Sequence, residues 1–144
     1  MSPSEEHEET SSGEAPPDGS MLDHLGLVER GTFDPEREYI ELTFDARPGF
    51  AHPGGVQGGF ITGWIDAAMA HAVMWATEMQ MIPMTLELKV TFLVAVRPGQ
   101  QVTASGWILR RGRSIAFLEG QLRDPEGTLL ATATSTAKLV PSRR

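Results

Sequence analysis

The chain has 144 residues, no cysteine, 40% hydrophobic and 22% charged residues, and a formal charge of −7. That is the size of one domain with enough apolar material for a core, and the lack of Cys excludes disulfides, thiolate metal sites, iron–sulfur ligation and a cysteine nucleophile. The acidic balance is wrong for a protein that neutralises phosphate backbones, so nucleic acid is not an expected partner.

Met1 to Ser20 carries carboxylates, among them Glu5, Glu6, Glu9, Glu14 and Asp18, with no Lys or Arg. Such a segment cannot bury enough to offset the cost of ordering, so residues 1–20 are expected to be a disordered acidic tail ahead of a single domain over 21–144. Most of the excess acid sits in this tail, which leaves the body close to neutral. The start lacks the basic and apolar regions of a secretory signal. The longest apolar stretch, Phe60 to Ala76, contains Asp66 and His71 and is too short and polar for a bilayer span. A cytoplasmic location without a membrane partner is the expectation.

Met21 to Leu27 has the makings of one or two helical turns, with Ser20 as N-cap and Gly26 near the end. From Tyr39 to Asp45, apolar Ile40, Leu42 and Phe44 alternate with polar Glu41, Thr43 and Asp45, the period of a half-buried strand, and residues 28–34 are its hairpin arm. Arg47 to Gly59 holds two Pro and five Gly in thirteen positions, an irregular loop. A long helix over 59–78 follows. Ile61, Trp64, Ile65, Ala68, Met69, Ala72, Val73, Trp75 and Ala76 fall on one broad stripe at 100° per residue.

Beyond the helix the pattern becomes strand-like. Leu86, Leu88, Val90 and Phe92 alternate with Thr85, Glu87, Lys89 and Thr91, which predicts two opposite faces. Strands over 101–110, 114–123 and 128–140 follow, separated by turn signals at Arg111-Gly112-Arg113 and Asp124-Pro125-Glu126-Gly127. Short connections make these strands antiparallel, and the helix is the only large apolar body able to cover their common face. The expected class is α+β, an antiparallel sheet wrapped around one long central helix: the hotdog fold. Trp107, Leu109, Ile115, Phe117 and Leu130 are out of phase with that face, leaving apolar surface for another subunit. A homodimer, pairing again into a dimer of dimers, is expected.

Chemistry concentrates where the Gly-rich loop enters the helix. Free N–H groups at a helix start carry partial positive charge, and glycines admit a ligand carbonyl closely, which outlines an oxyanion site. Seven residues after Gly59, Asp66 interrupts the apolar run, and an unpaired carboxylate there is costly. Loop donors and a carboxylate two turns along could flank one electrophilic centre; chain geometry and a solvated Asp would account for the same spacing without function.

The run Gly54-Gly55-Val56-Gln57-Gly58-Gly59 into Trp64-Ile65-Asp66-Ala67-Ala68, then Thr85 to Leu93, Arg97-Pro98-Gly99 and Gly127 to Thr136, resembles the hotdog-fold acyl-CoA thioesterases of the phenylacetate-pathway type, in the 4-hydroxybenzoyl-CoA thioesterase superfamily. The resemblance spans roughly Gly49 to Val140. It implies that Asp66 is the catalytic carboxylate, as a base activating water or a nucleophile forming a mixed anhydride. It also implies that the Gly58 N–H, with that of Gly59, polarises the thioester carbonyl, that Thr85 helps place water, and that Gln57 orients the loop or contacts the thioester. Many members carry an Asn where this chain has Ala51; its polar contribution is either missing here or supplied by the adjacent His52. Coenzyme A enters as part of the substrate, no separate cofactor is implied, and each site is implied to lie at a dimer interface, Asp66 of one chain facing the loop of the other.

Arg110-Arg111-Gly112-Arg113-Ser114 sets three guanidinium groups at a hairpin tip, suited to phosphates or simply solvated. The resemblance makes Arg111, Arg113 and Ser114 candidates for the nucleotide end of coenzyme A. His71 reads as a packed residue, and four His without Cys or paired spacing leave no zinc site. Met69, Met74, Met79, Met81 and Met84 read as core filler or acyl-pocket lining. Two other functions fit the same residues. His52 and Asp66, fourteen residues apart, are similar to the acid–base pair of hotdog dehydratases, and an acyl-CoA-binding protein without turnover would need neither as a catalyst.

Overall fold

A computed structural model describes residues 20–143, so the acidic tail expected over 1–20 lies, apart from Ser20, outside the described residues. The elements in chain order are α1 (Met21–His24), β1 (Leu27–Arg30), β2 (Tyr39–Asp45), β3 (Ala51–His52), β4 (Gly55–Val56), α2 (Gly58–Ala76), β5 (Met81–Phe92), β6 (Gln101–Arg111), β7 (Ile115–Arg123) and β8 (Leu129–Pro141). Six strands form one antiparallel sheet in the order β1-β2-β6-β7-β8-β5, and β3 with β4 makes a separate two-stranded ribbon. This is the α+β hotdog arrangement expected, with α2 against one face of the sheet.

Local chemistry starts each element where the sequence places it. Ser20 and Asp23 close a reciprocal capping box on α1, and Gly26 turns the chain out with φ +88°. The indole of Trp64 donates to the Leu25 carbonyl at 2.7 Å, fastening this first turn to α2. In β2 the three alternating apolar residues Ile40, Leu42 and Phe44 are all buried. Helix and sheet meet most closely at Gly106 and its cross-strand partner Gly120. A Cβ on Gly106 would lie 2.5 Å from the Ala68–Met69 backbone, and one on Gly120 would lie 2.5 Å from Ile65. Only the missing side chains let the helix settle there.

Three expectations need correction. Trp75, assigned to the buried stripe, is 44% exposed near the end of the helix. Leu130, assigned to the outer face, is buried, because Leu122 pairs Ala131 and Arg123 pairs Leu129, leaving Leu130 in a bulge. A second bulge places Leu86 between Thr85, paired with Ala137, and Glu87, paired with Thr136. Ala137 lies buried on the helix-facing side of β8, so the bulge brings Thr85 onto the same face as Leu88 and Val90 rather than opposite them. Among the described residues no helix is long and apolar enough to cross a membrane.

Candidate active site

The loop before α2 is held at two points, so its glycines do not make it slack. Val56 N–H donates to the Val96 carbonyl and Gln57 N–H to the Phe50 carbonyl, each at 2.9 Å. Gln57 is the N-cap of α2, and its side-chain oxygen accepts the Gly59 N–H at 2.7 Å. The Gly59 donor is therefore occupied within the loop. The Gly58 N–H finds no acceptor among the described residues. It opens beside a cleft of about 330 Å³ lined by Val56, Ile61, Phe92, Leu93 and Val94 among others. A Cβ on Gly58 would stand 3.1 Å from the Phe92 ring, so the bare glycine keeps this terminus accessible. Phe92 is 53% exposed. Alternation along β5 gives no sign of this neighbour, because the contact depends on how the helix start meets the strand end.

Asp66 sits half-buried on α2, and burial raises its carboxyl above the ordinary carboxylate value. The Thr85 hydroxyl, brought to the helix-facing side by the Leu86 bulge, favours the charged carboxylate and partly opposes that rise. Burial is the larger influence. The result is a carboxylate more basic than a surface Asp, next to a hydroxyl that can orient it or a water.

One distance is decided by helix geometry. Eight residues separate Gly58 from Asp66, and a rise of about 1.5 Å per residue puts them roughly 12 Å apart along the axis. A single carbonyl cannot touch the Gly58 N–H and the Asp66 carboxylate of the same chain.

A family model for the thioesterase superfamily matches residues 54–131, the segment that carries the loop, α2 and most of the sheet. The chain belongs to the thioesterase superfamily. Among solved structures, a phenylacetic acid degradation-related protein from Ralstonia eutropha is 32% identical, with a TM-score of 0.76 over 91% of this chain and 97% of that one. A thioesterase from Haemophilus influenzae is 24% identical, with a TM-score of 0.74 over 85% of this chain and 83% of that one. A Streptococcus mutans protein solved with acetyl-CoA shares the fold at 17% identity, with a TM-score of 0.67 over 83% and 90% of the two chains. No curated protein matches.

The other candidate residues of this thioesterase-superfamily chain lie apart from Asp66. His52, on the β3–β4 ribbon, is exposed and accepts the Gly54 N–H on Nδ1 at 3.0 Å. No hydrogen bond joins it to Asp66 among the described residues. Arg111 donates to Glu38 at 2.9 Å, an ion pair that ties β6 to the chain before β2. Arg113 and Ser114 stand exposed at the β6–β7 turn, where the Ser114 carbonyl accepts the Leu139 N–H at 2.8 Å. His71 is buried with Nδ1 2.9 Å from the Ala67 carbonyl, while its Nε2 accepts from Arg30 at 3.4 Å. Burial holds its pKa below the usual histidine value. The methionines divide between roles, with Met69 in the core and Met84 52% exposed. Among the described residues no group of three or more His, Asp or Glu is arranged to hold a metal.

Proposed function

We propose that the protein hydrolyses acyl-CoA thioesters to a free acid and coenzyme A. The observation that carries this reading is the half-buried Asp66 with its raised pKa, set against the Thr85 hydroxyl on the side of α2 where the sheet ends in the unpaired edge strand β5. Asp66 either takes a proton from a water held with Thr85, which attacks the thioester carbon, or attacks that carbon itself. In both cases negative charge develops on the carbonyl oxygen, where the free Gly58 N–H at the helix start stabilises it. The carbon–sulfur bond then breaks, and the coenzyme A thiolate leaves and is protonated. In the nucleophilic route a water then cleaves the mixed anhydride and regenerates the Asp66 carboxylate.

Because Gly58 and Asp66 of one chain are roughly 12 Å apart, this chemistry needs two copies, each lending one of the pair. The exposed edge strand β5, with Met84 and Leu86 at 52% and 61% exposure, is the surface on which a second copy completes the site. The dimer, and a dimer of dimers above it, belong to this proposal. Gln57 acts by occupying the Gly59 donor and fixing the loop, and His52, Arg113 and Ser114 are the candidates for contacting coenzyme A. Arg111 joins them only by leaving Glu38. The chemistry calls for no cofactor beyond the coenzyme A of the substrate.

The test is thiol release from a panel of short, medium, long and aromatic acyl-CoAs, with Asp66→Asn beside the wild type. Hydrolysis by the wild type and its loss in a variant that still binds coenzyme A is the expected result. Absence of release from every substrate would remove the proposal and leave ligand binding. Activity per chain is also expected to fall on dilution as the copies separate; a specific activity constant down to the monomer would exclude the shared site.

A further inference from the structure

The face of the sheet away from α2 carries a constellation that thioester hydrolysis does not use. Register places Tyr39 beside Trp107 and Trp107 beside Glu119. The Tyr39 and Trp107 rings stack with centroids 5.9 Å apart and planes 23° from parallel, and the Arg37 guanidinium lies 4.0 Å from the Tyr39 ring centre. Both rings are anchored by neighbouring carboxylates. Trp107 Nε1 donates to Glu119 at 3.0 Å and the Tyr39 hydroxyl to Glu41 at 2.6 Å. Opposite this wall Arg123 donates to Gln121 at 3.2 Å and to the Gly127 carbonyl at 2.8 Å. Between them lies an open hollow of about 600 Å³, lined by Arg37, Tyr39, Trp107, Gln121 and Arg123.

The hollow is locally positive. It holds two guanidinium groups and no lining carboxylate. The partners of Arg123 are both neutral oxygens, and Arg37 has Asp34 only at 3.8 Å on exposed surface. Glu41 and Glu119, beside the two rings, already receive the ring donors. An anion would supply the missing charge through bonds that guanidinium forms well, and the aromatic wall offers a flat apolar surface.

We propose that this hollow binds a small planar aromatic anion, its ring stacked on Trp107 and its carboxylate or phosphate held by Arg123 with Arg37 at the rim. The volume falls within the ordinary range for ligand sites, about 300–1,000 Å³. The site lies across the sheet from Asp66, so it stands or falls separately from the hydrolytic reading.

Tryptophan fluorescence reports on the site, the Trp107→Phe variant separating Trp107 from Trp64 and Trp75, with benzoate and AMP as probes and acetate and benzamide as controls for charge without ring and ring without charge. Saturable quenching by benzoate or AMP is expected, with half-saturation near or below about 1 mM; which of the two binds decides between carboxylate and nucleotide. Arg123→Gln weakens binding about tenfold or more, Arg37→Gln weakens it less, Trp107→Phe abolishes the signal, and Asp66→Asn leaves it unchanged. Arg37 is on the surface, so its variant keeps the test valid should Arg123→Gln not fold. The proposal is overturned by the absence of saturation, by equal quenching with acetate or benzamide, or by weakening in Asp66→Asn rather than in the arginine variants. It is also overturned if the arginine variants alter sedimentation while leaving the ligand response intact, which would make this face a contact between copies.

Discussion

The two flanks of α2 meet the same sheet and end in opposite states. Toward β2 and β6 the interface is closed: Phe44 is fully buried and stacked on Trp64 at 5.8 Å, and Gly106 lets the backbones touch. Toward β5 it stays open, with Leu86 and Phe92 exposed along the strand and Asp66 only half-buried. Stability is therefore concentrated on one flank, and the proposed chemistry lies on the other, where burial is incomplete. A carboxylate needs that partial burial to become basic, and the closed flank tolerates the cost of holding it there.

Truncating the closed flank should have the largest effect. Phe44→Ala removes a fully buried ring and is expected to cost about 3–5 kcal/mol in denaturant unfolding. A loss below about 1 kcal/mol would show that this flank is not the seat of stability. The open flank should answer in the opposite way. Asp66→Asn is expected to lower kcat by about 100-fold or more without loss of stability. Its raised pKa means that the folded state favours the neutral acid, so the carboxyl contributes stability at low pH that is lost as pH rises through the folded pKa. The Asn variant should accordingly melt at or above the wild-type temperature at pH 7, and the difference should vanish in acid, as thermal melts across pH would reveal.

The same contrast explains what could be read in advance. The closed flank was legible because it is periodic: Ile40, Leu42 and Phe44 alternate, and the α2 stripe from Ile61 to Val73 keeps one face. The open flank depends on departures from period. The Leu86 bulge moves Thr85 across the sheet and cannot be seen in an alternating sequence, and Leu130 escapes for the same reason. In the loop the glycines announced irregularity. Whether each N–H is free or occupied depended on the Gln57 side chain folding back onto Gly59, a contact that residue types alone do not specify.

That contact sits between the flanks, and breaking it should have a moderate effect. Gln57→Ala removes the N-cap of α2 and leaves the Gly59 N–H without its acceptor. A stability loss of about 0.5–1 kcal/mol is expected, in the range for lost helix caps. If the loop is held mainly by the Val56 and Gln57 backbone bonds, KM and kcat should change little. A large fall in kcat would instead give the Gln57 amide a direct part at the thioester.

The smallest effect tests the bulge itself. Thr85 stabilises the charged form of Asp66, so Thr85→Ala removes an influence that lowers the carboxyl pKa and leaves burial unopposed. The acid limb of the kcat/KM profile should move to higher pH, while the plateau falls only as far as water placement depended on the hydroxyl. Thr85→Ser keeps the donor and should keep the wild-type limb. If the limb were unmoved in the Ala variant, Thr85 would not be acting on the carboxylate, and its place on the helix-facing side would be a consequence of the bulge alone. A shift in the Ala variant restored by Ser would tie a single unpaired residue in β5 to the basicity of the group on which the proposed reaction depends.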